Sequence, residues 1–321
     1  MERSLSVLLI TFNSAPYLRR CLAGIAGQTS QPLEIVVVDN ASVDDSVSVV
    51  RELAPAANII LNRENRGFAA AANQAIAESH NEMVLLLNPD VYLEPTFLER
   101  ALPVMEDPAV GAVTGKLRRG MGYDIRPTLL IDSKGIRMTR SGRHLDIDSE
   151  RPDSGNEEAR EVFGVSGAAA LYRRSMLQDV AIDGGPFDED FFAFREDADL
   201  AWRARLFGWK AMYVPSAEAY HVRRVTPAVR SELPPELNMH SVKNRFLLRL
   251  KNEGLYLALR NAPFELARDL QVLVATMTIE RSSLPAWGWL WRNRRRIAAR
   301  RHAIQTRRRV SDRELARWFG S

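Results

Sequence analysis

This sequence predicts an α/β fold with a mostly parallel central sheet, followed by a C-terminal helical extension, and three observations carry the prediction. Over the first 115 residues short apolar runs alternate with helical patterns, the signature of βαβ units. Each apolar run ends in polar residues, where open sheets of this kind bind ligands. After Pro234-Pro235 the strand pattern stops and the chain reads as helices.

The strands are expected at Ser6–Thr11, Glu34–Asp39, Asn58–Asn62, Met83–Asn88 and Val110–Gly115, with helices at Ala15–Ala26, Asp44–Ala54, Phe68–Ser79 and Pro95–Met105. Ser42 or Asp44 can cap the second helix, and Pro95 suits the first turn of the fourth. From about residue 118 to 160, glycines among many charges suggest hairpins or a mobile loop. Order returns at Val162–Arg173, then in a helix from Glu196 to Phe207 ended by Gly208, and in strand-like runs at Lys210–Val214 and Ala219–Val222. We therefore expect a nucleotide-binding domain over residues 1–225 and a helical, Arg-rich extension over 226–321.

With 321 residues, 46% of them hydrophobic and 26% charged, the chain can bury a sizeable core, and disorder of the whole is set aside. Its one cysteine, Cys21, allows no internal disulfide and no thiolate zinc cage, and reads as a small buried residue. No signal peptide and no membrane span is visible, so a cytoplasmic protein is expected. The net charge of +4 hides an asymmetry. Residues 281–321 hold twelve arginines against Asp312 and Glu314, which makes everything before them net acidic.

Four strand ends carry candidate chemistry: Thr11-Phe12-Asn13, Asp39-Asn40-Ala41-Ser42, Asn65-Arg66-Gly67 and Asn88-Pro89-Asp90. Asp39 can accept from a base or a ribose hydroxyl, or simply cap the next helix. Asp90, presented by a turn that Pro89 fixes, can ligate a hard divalent cation, or serve only the turn. Glu196, Asp197 and Asp199 open a helix whose dipole favours carboxylates there, yet the aromatic run Phe187–Phe194 before them would shield one from water and tune it as a general base. His221 can be a metal ligand, with Arg223-Arg224 on phosphate, or a structural histidine.

Taken together, these pieces resemble the family-2 glycosyltransferases of the GT-A fold, especially the rhamnosyltransferase-like branch. The matching segments are Val7–Asn13, Ile35–Ser42, Asn65–Phe68 with Asn73, Leu86–Asp90, and Arg195–Leu200 with Gly208-Trp209, in the family's order over residues 5 to about 222. The resemblance implies that Thr11, Asn13 and Asp39 surround the nucleoside, and that Asn65, Gly67 and Asn73 lie near the ribose and diphosphate. It implies that Asp90 binds Mg²⁺ or Mn²⁺, with Asn88 standing where the family's first acidic position lies. Asp197, paired with Glu196, takes the place of the general base. The implied reaction is a single inverting displacement on a dTDP- or UDP-linked sugar, with dTDP-L-rhamnose favoured. The implied acceptor is a glycan or polyprenyl-linked molecule of cell-surface polysaccharide synthesis.

The tail combines Trp287, Trp289 and Trp291 with Arg292 and Arg294–Arg296. That composition suits an anionic membrane surface, at the inner face of the cell membrane. A helix packed on the catalytic domain is the alternative, and nucleic acid is not expected as a partner. Since every catalytic candidate precedes residue 225, removing residues 281–321 is expected to spare the site.

Overall fold

The computed structural model describes residues 4–155, 157–223 and 234–320. β1 (Leu5–Thr11), β2 (Glu34–Asp39), β3 (Asn58–Leu61) and β4 (Met83–Leu87) form a parallel set in the order β4-β1-β2-β3. α1 (Ala15–Ala26), α2 (Ser46–Leu53) and α3 (Phe68–Glu78) are the crossovers. Every residue of β1 and β4 is buried, which is why both read as nearly unbroken apolar runs.

Beyond β4 the sheet becomes mixed. The chain turns at Asn88-Pro89-Asp90 into β5 (Val91–Leu93), then α4 (Phe97–Ala101) and β6 (Val110–Met121). The expected helix to Met105 is shortened because Pro103 has no N–H to continue it, and a 3₁₀ segment takes over at Leu102–Glu106. The stretch after residue 118 is hairpin rather than loop: β6 returns through β7 (Arg126–Ser133), and β8 (Ile136–Thr139) pairs with β9 (His144–Asp146). β10 (Arg160–Val162) comes next at the sheet's edge, and β11 (Ala169–Arg173) then inserts antiparallel between β4 and β6. After α5 (Arg174–Val180) and α6 (Glu196–Leu206), β12 (Lys210–His221) runs as one strand where two were expected. It carries a register shift between Val214 and Glu218, beside Pro215, which cannot donate to the ladder.

The expected domain boundary at residue 225 lies outside the described residues. From Pro235 onward the chain packs on the catalytic half. α7 (Pro235–Asn252), α8 (Leu255–Thr278), α9 (Pro285–Arg292), α10 (Arg294–Arg307) and α11 (Asp312–Leu315) lead to β13 (Phe319–Gly320), which pairs parallel with β8. Phe319 packs against Trp202 and Phe163, with ring centroids 5.0 and 6.0 Å apart.

Four of the tail's twelve arginines pair with carboxylates of this domain. Arg300 pairs with Asp183, Asp188 and Asp190, Arg296 with Asp190, and Arg307 and Arg309 with Asp179. The packed-helix alternative thus describes α10, because the acidic side chains of residues 179–190 supply the counter-charge. Dispensability of residues 281–321 does not survive this geometry. We expect Arg300→Met to lower the unfolding free energy by about 3 kcal/mol, the scale for breaking a buried pair. A chain ending at residue 280 is expected to lose its cooperative transition, and an unchanged denaturation midpoint in either protein would refute the role given to α10.

Candidate active site

α6 begins where the backbone is least relaxed. Phe192, Phe194 and Arg195 all have positive φ, at 62°, 70° and 71°, a conformation that costs free energy in non-glycine residues and needs support. Support comes from α7, whose Asn244 amide donates to the carbonyls of Phe191, Ala193 and Phe194, each at 2.8 Å. The Phe192 carbonyl in turn accepts from Phe68 N at the start of α3. Gly67 belongs here because a side chain at its φ of 82° would lie 2.5 Å from the Phe192 ring.

This frame holds Glu196 and Asp197 at the wall of an open cleft. Asp197 accepts from Gly167 N through Oδ2 (3.2 Å) and from Ala198 N through Oδ1 (2.7 Å), which fixes its plane. Burial raises its pKa, against those two amides and with Asp146 adding to the rise. Burial and then the Asp197 charge push Glu196 up to about 8. Glu196 therefore retains its proton near neutral pH.

On the far wall, strand register does the assembly. β12 pairs with β5 so that His221 stands opposite Val91, beside Asp90, and with β6 so that it stands opposite Arg119. His221 Nε2 lies 3.5 Å from Asp90 Oδ1 while Nδ1 is 2.8 Å from Asp132 Oδ2 on β7. Burial opposes a charge on the ring, but Asp132 and Asp90 outweigh it and raise its pKa to about 10. Asp132 is fully buried; burial would raise its carboxyl, yet His221, Arg223 and Arg119 hold it down to about 2. Paired to carboxylates at both nitrogens, the ring could ligate a cation beside Asp90 only by giving up its Nε2 proton, with Asp132 holding Nδ1–H. Among the described residues no group of three or more His, Cys, Asp or Glu side chains could hold a metal unaided. Asp90 and His221 fit a cation that takes its remaining ligands from a bound diphosphate.

The other expected residues fall into two groups. Thr11 and Ser42 hydroxyls donate to Asp39 Oδ1 (2.9 and 2.6 Å) and Ser42 N to Oδ2 (2.9 Å), while Asn13 Oδ1 accepts from Val43 N (2.9 Å). Asp39 is thus buried and fully engaged in shaping the loop after β2. Asn65 Oδ1 likewise accepts from Asn40 and from Gly67 N. Two residues leave the site altogether. Asn73 uses both ends of its amide on the Phe187 backbone (2.8 and 3.0 Å). Asp199 has no exposed surface, and its oxygens are taken by Arg203 (2.8 Å), Lys251 (2.9 Å) and Asn252 (2.7 Å). It stands two residues past Asp197, about 200° around the helix, so it points away from the cleft. Arg223 lines the cleft but is braced by Asp132 (3.0 Å) and Asp146 (2.6 Å).

Sequence reasoning misses four residues of the cleft or its wall: Asp132, His144, Asp146 and Arg195. Three come from the β7–β9 hairpins, whose sequence carries no motif. His144 Nδ1 sits 2.9 Å from Arg195 Nη1, and burial with four surrounding arginines drives its pKa well below the usual range, so its ring is neutral. Cys21 is buried with its thiol pKa pushed up, a packing residue as expected.

Known proteins share this layout. Residues 6–181 match the family model described as Glycosyl transferase family 2. Over 243 residues the chain is 28% identical to the N-acetylglucosaminyl-diphospho-decaprenol L-rhamnosyltransferase of Mycobacterium tuberculosis, covering 69% of this chain and 76% of that one. It is 31% identical to an N-acetylglucosaminyltransferase of Mesorhizobium japonicum, over 72% of this chain and 54% of that protein. Among solved structures, a mannosyltransferase from Pyrobaculum calidifontis in complex with GDP-Man and Mn²⁺ superposes with a TM-score of 0.55 at 22% identity, covering 96% of this chain and 84% of the other. That likeness shows a GT-A fold. A family model spanning more than half of the sequence places this chain in glycosyl transferase family 2, and it is a transferase.

Proposed function

We propose that this transferase moves L-rhamnose from dTDP-L-rhamnose, with inversion, onto a lipid-linked or glycan acceptor of cell-surface polysaccharide synthesis, in the cytoplasm. The observation that carries the reading is the cleft itself, with the Glu196–Asp197 pair on one wall and Asp90 with His221 on the other. The rhamnosyl donor and lipid-linked acceptor are supported by the name of the mycobacterial relative, and by the Asn88-Pro89-Asp90 turn.

In this reading Asp197 accepts the proton of the acceptor hydroxyl as that oxygen bonds to the anomeric carbon. The bond to the diphosphate breaks on the opposite face, and the configuration inverts. Glu196, kept protonated by burial, keeps a second negative charge away from the diphosphate. Asp90 and His221 would hold Mg²⁺ or Mn²⁺, which when bound neutralises charge on the leaving group. His144 remains neutral beside Arg195 and so adds no further charge to the pocket.

Asp197→Asn is expected to lower turnover by about a hundredfold or more at unchanged donor affinity. Near wild-type transfer would remove Asp197 from the role of base. Asp90→Ala should abolish the gain in nucleotide affinity on adding Mn²⁺, measured by calorimetry. Equal affinity of the wild type in EDTA and in Mn²⁺ argues against a metal. Tighter binding of UDP than of dTDP would overturn the donor.

Glu196 gives a pH-dependent test. Its folded pKa of about 8 lies above the ordinary value near 4.3. A raised carboxyl pKa contributes stability at low pH that is lost as pH rises through the folded value. Glu196→Gln, which mimics the protonated acid, is therefore expected to melt with the wild type at pH 4 and above it at pH 9. A wild type that is the more stable at pH 9 would show that the fold favours the Glu196 carboxylate and does not raise its pKa.

A further inference from the structure

α8 is an amphipathic helix mounted the wrong way round. Leu255, Leu259, Leu266, Leu270, Val274 and Met277 recur at spacings of three, four and seven residues and so form one ridge, and each is 52–72% exposed. The opposite face, turned to the protein, is polar. Asn261 and Glu265 are buried there, and Glu265 and Asp269 pair with Arg249 of α7. A helix facing water would place these groups outward and the leucines inward. The ridge runs the length of α8, about 33 Å from Leu255 to Met277, and among the described residues nothing covers it.

The end of the ridge toward α9 is basic, and an arginine stands beside two carboxylates at its start. At its end, the Trp287 indole donates to Thr276 Oγ1 (3.3 Å), which ties α9 to the last turns of α8. There Trp291 is exposed with Arg294 over its ring at 4.4 Å, and Arg292 and Arg295 make no hydrogen bond or ion pair among the described residues. At the start, Arg313 lies over the Tyr256 ring at 5.7 Å. The other tryptophans of α9 turn inward, Trp287 onto Phe246 (4.7 Å) and Trp289 under Lys243 (4.6 Å). The apolar surface expected on residues 284–297 is thus found on α8, and only the free arginines remain on the tail.

We propose that the α8 ridge is the protein's docking surface for an anionic lipid bilayer, with α8 lying in the plane of the interface and Arg292, Arg294, Arg295 and Arg313 on lipid headgroups. A ridge without charge, as long as the helix, suits the acyl boundary of an interface, and the arginines and aromatic rings beside it suit its anionic headgroups. A second copy of the chain fits less well. Pairing two ridges in parallel sets Arg292, Arg294 and Arg295 against their own copies. The inference gives the lipid-linked acceptor a surface on which to reach the cleft, and to that extent rests on the reading above.

The test is flotation with vesicles of phosphatidylglycerol and phosphatidylcholine, beside vesicles of phosphatidylcholine alone, using the full chain. The wild type is expected to float with the anionic vesicles and to be released only in part by 0.5 M salt, roughly where the Debye length falls to a few ångströms. Leu259→Glu/Leu266→Glu/Leu270→Glu is expected to reduce flotation at least tenfold. Its melting temperature and its hydrolysis of soluble nucleotide sugar should stay at wild-type values, since these positions face outward. Arg292→Glu/Arg295→Glu should keep weak binding and lose the preference for anionic lipid. A wild type that stays in solution overturns the proposal. So does equal binding to both kinds of vesicle, or a wild-type dimer in sedimentation that the leucine variant converts to monomer. Failure of the transferase reading is separate, because it appears as absent donor hydrolysis in a protein that still floats.

Discussion

Asp199 and Lys251, with no exposed surface at all, form the constraint on which the remaining structure hangs. Lys251 of α7 pairs with Asp199 of α6 (2.9 Å) and with Asp188, while Arg203 closes on Asp199 from within the helix. Removing such charges from water is expensive unless every partner is in place. Asp188 also takes Arg300 from α10. Four separated stretches of chain are therefore obliged to assemble together, and the first turn of α6, with Asp197 on it, is positioned as a result. A carboxylate that sequence inspection places in the chemistry turns out to hold the chemistry in position.

The two walls of the cleft differ in how they manage charge. On one, two adjacent carboxyls sit in poorly solvated surroundings with two backbone amides for relief, so a proton is retained. On the other, Asp132 is surrounded by His221, Arg223 and Arg119 and remains fully ionised despite deeper burial. The first environment raises the basicity of its carboxyls. The second makes a rigid strut that sets the orientation of His221. Identical functional groups thus acquire opposite behaviour from their neighbours alone.

Much of this is legible in the sequence. The parallel strands announce themselves because they are buried on both faces, and the residues that end them mark the ligand edge. Asp90, Asp197 and His221 stand out because each sits at the end of a regular element with a local pattern. Asp132, His144 and Asp146 lie in hairpins where the pattern is weak, and their partners stand as many as 91 positions away in the chain. Asn73 and Asp199 are misplaced for the converse reason. Their spacing is right for the site, but side-chain direction depends on helix phase and on partners such as Lys251 that local pattern does not reveal. The charge of the tail is plain from composition, whereas its destination is not, because the matching carboxylates at residues 179–190 look like an ordinary acidic loop.

The pairing of β13 with β8 has a bearing on how the protein is made. Phe319 emerges from the ribosome more than a hundred residues after Trp202, against which it packs. At ordinary elongation rates that interval lasts roughly 6–25 seconds. For the first 49 residues of it Lys251 is missing, and Asp199 has only Arg203 of its own helix as a counter-ion. Nascent chains of this protein spend that interval with the catalytic helix unanchored, a period in which a chaperone has something to hold and a protease something to cut.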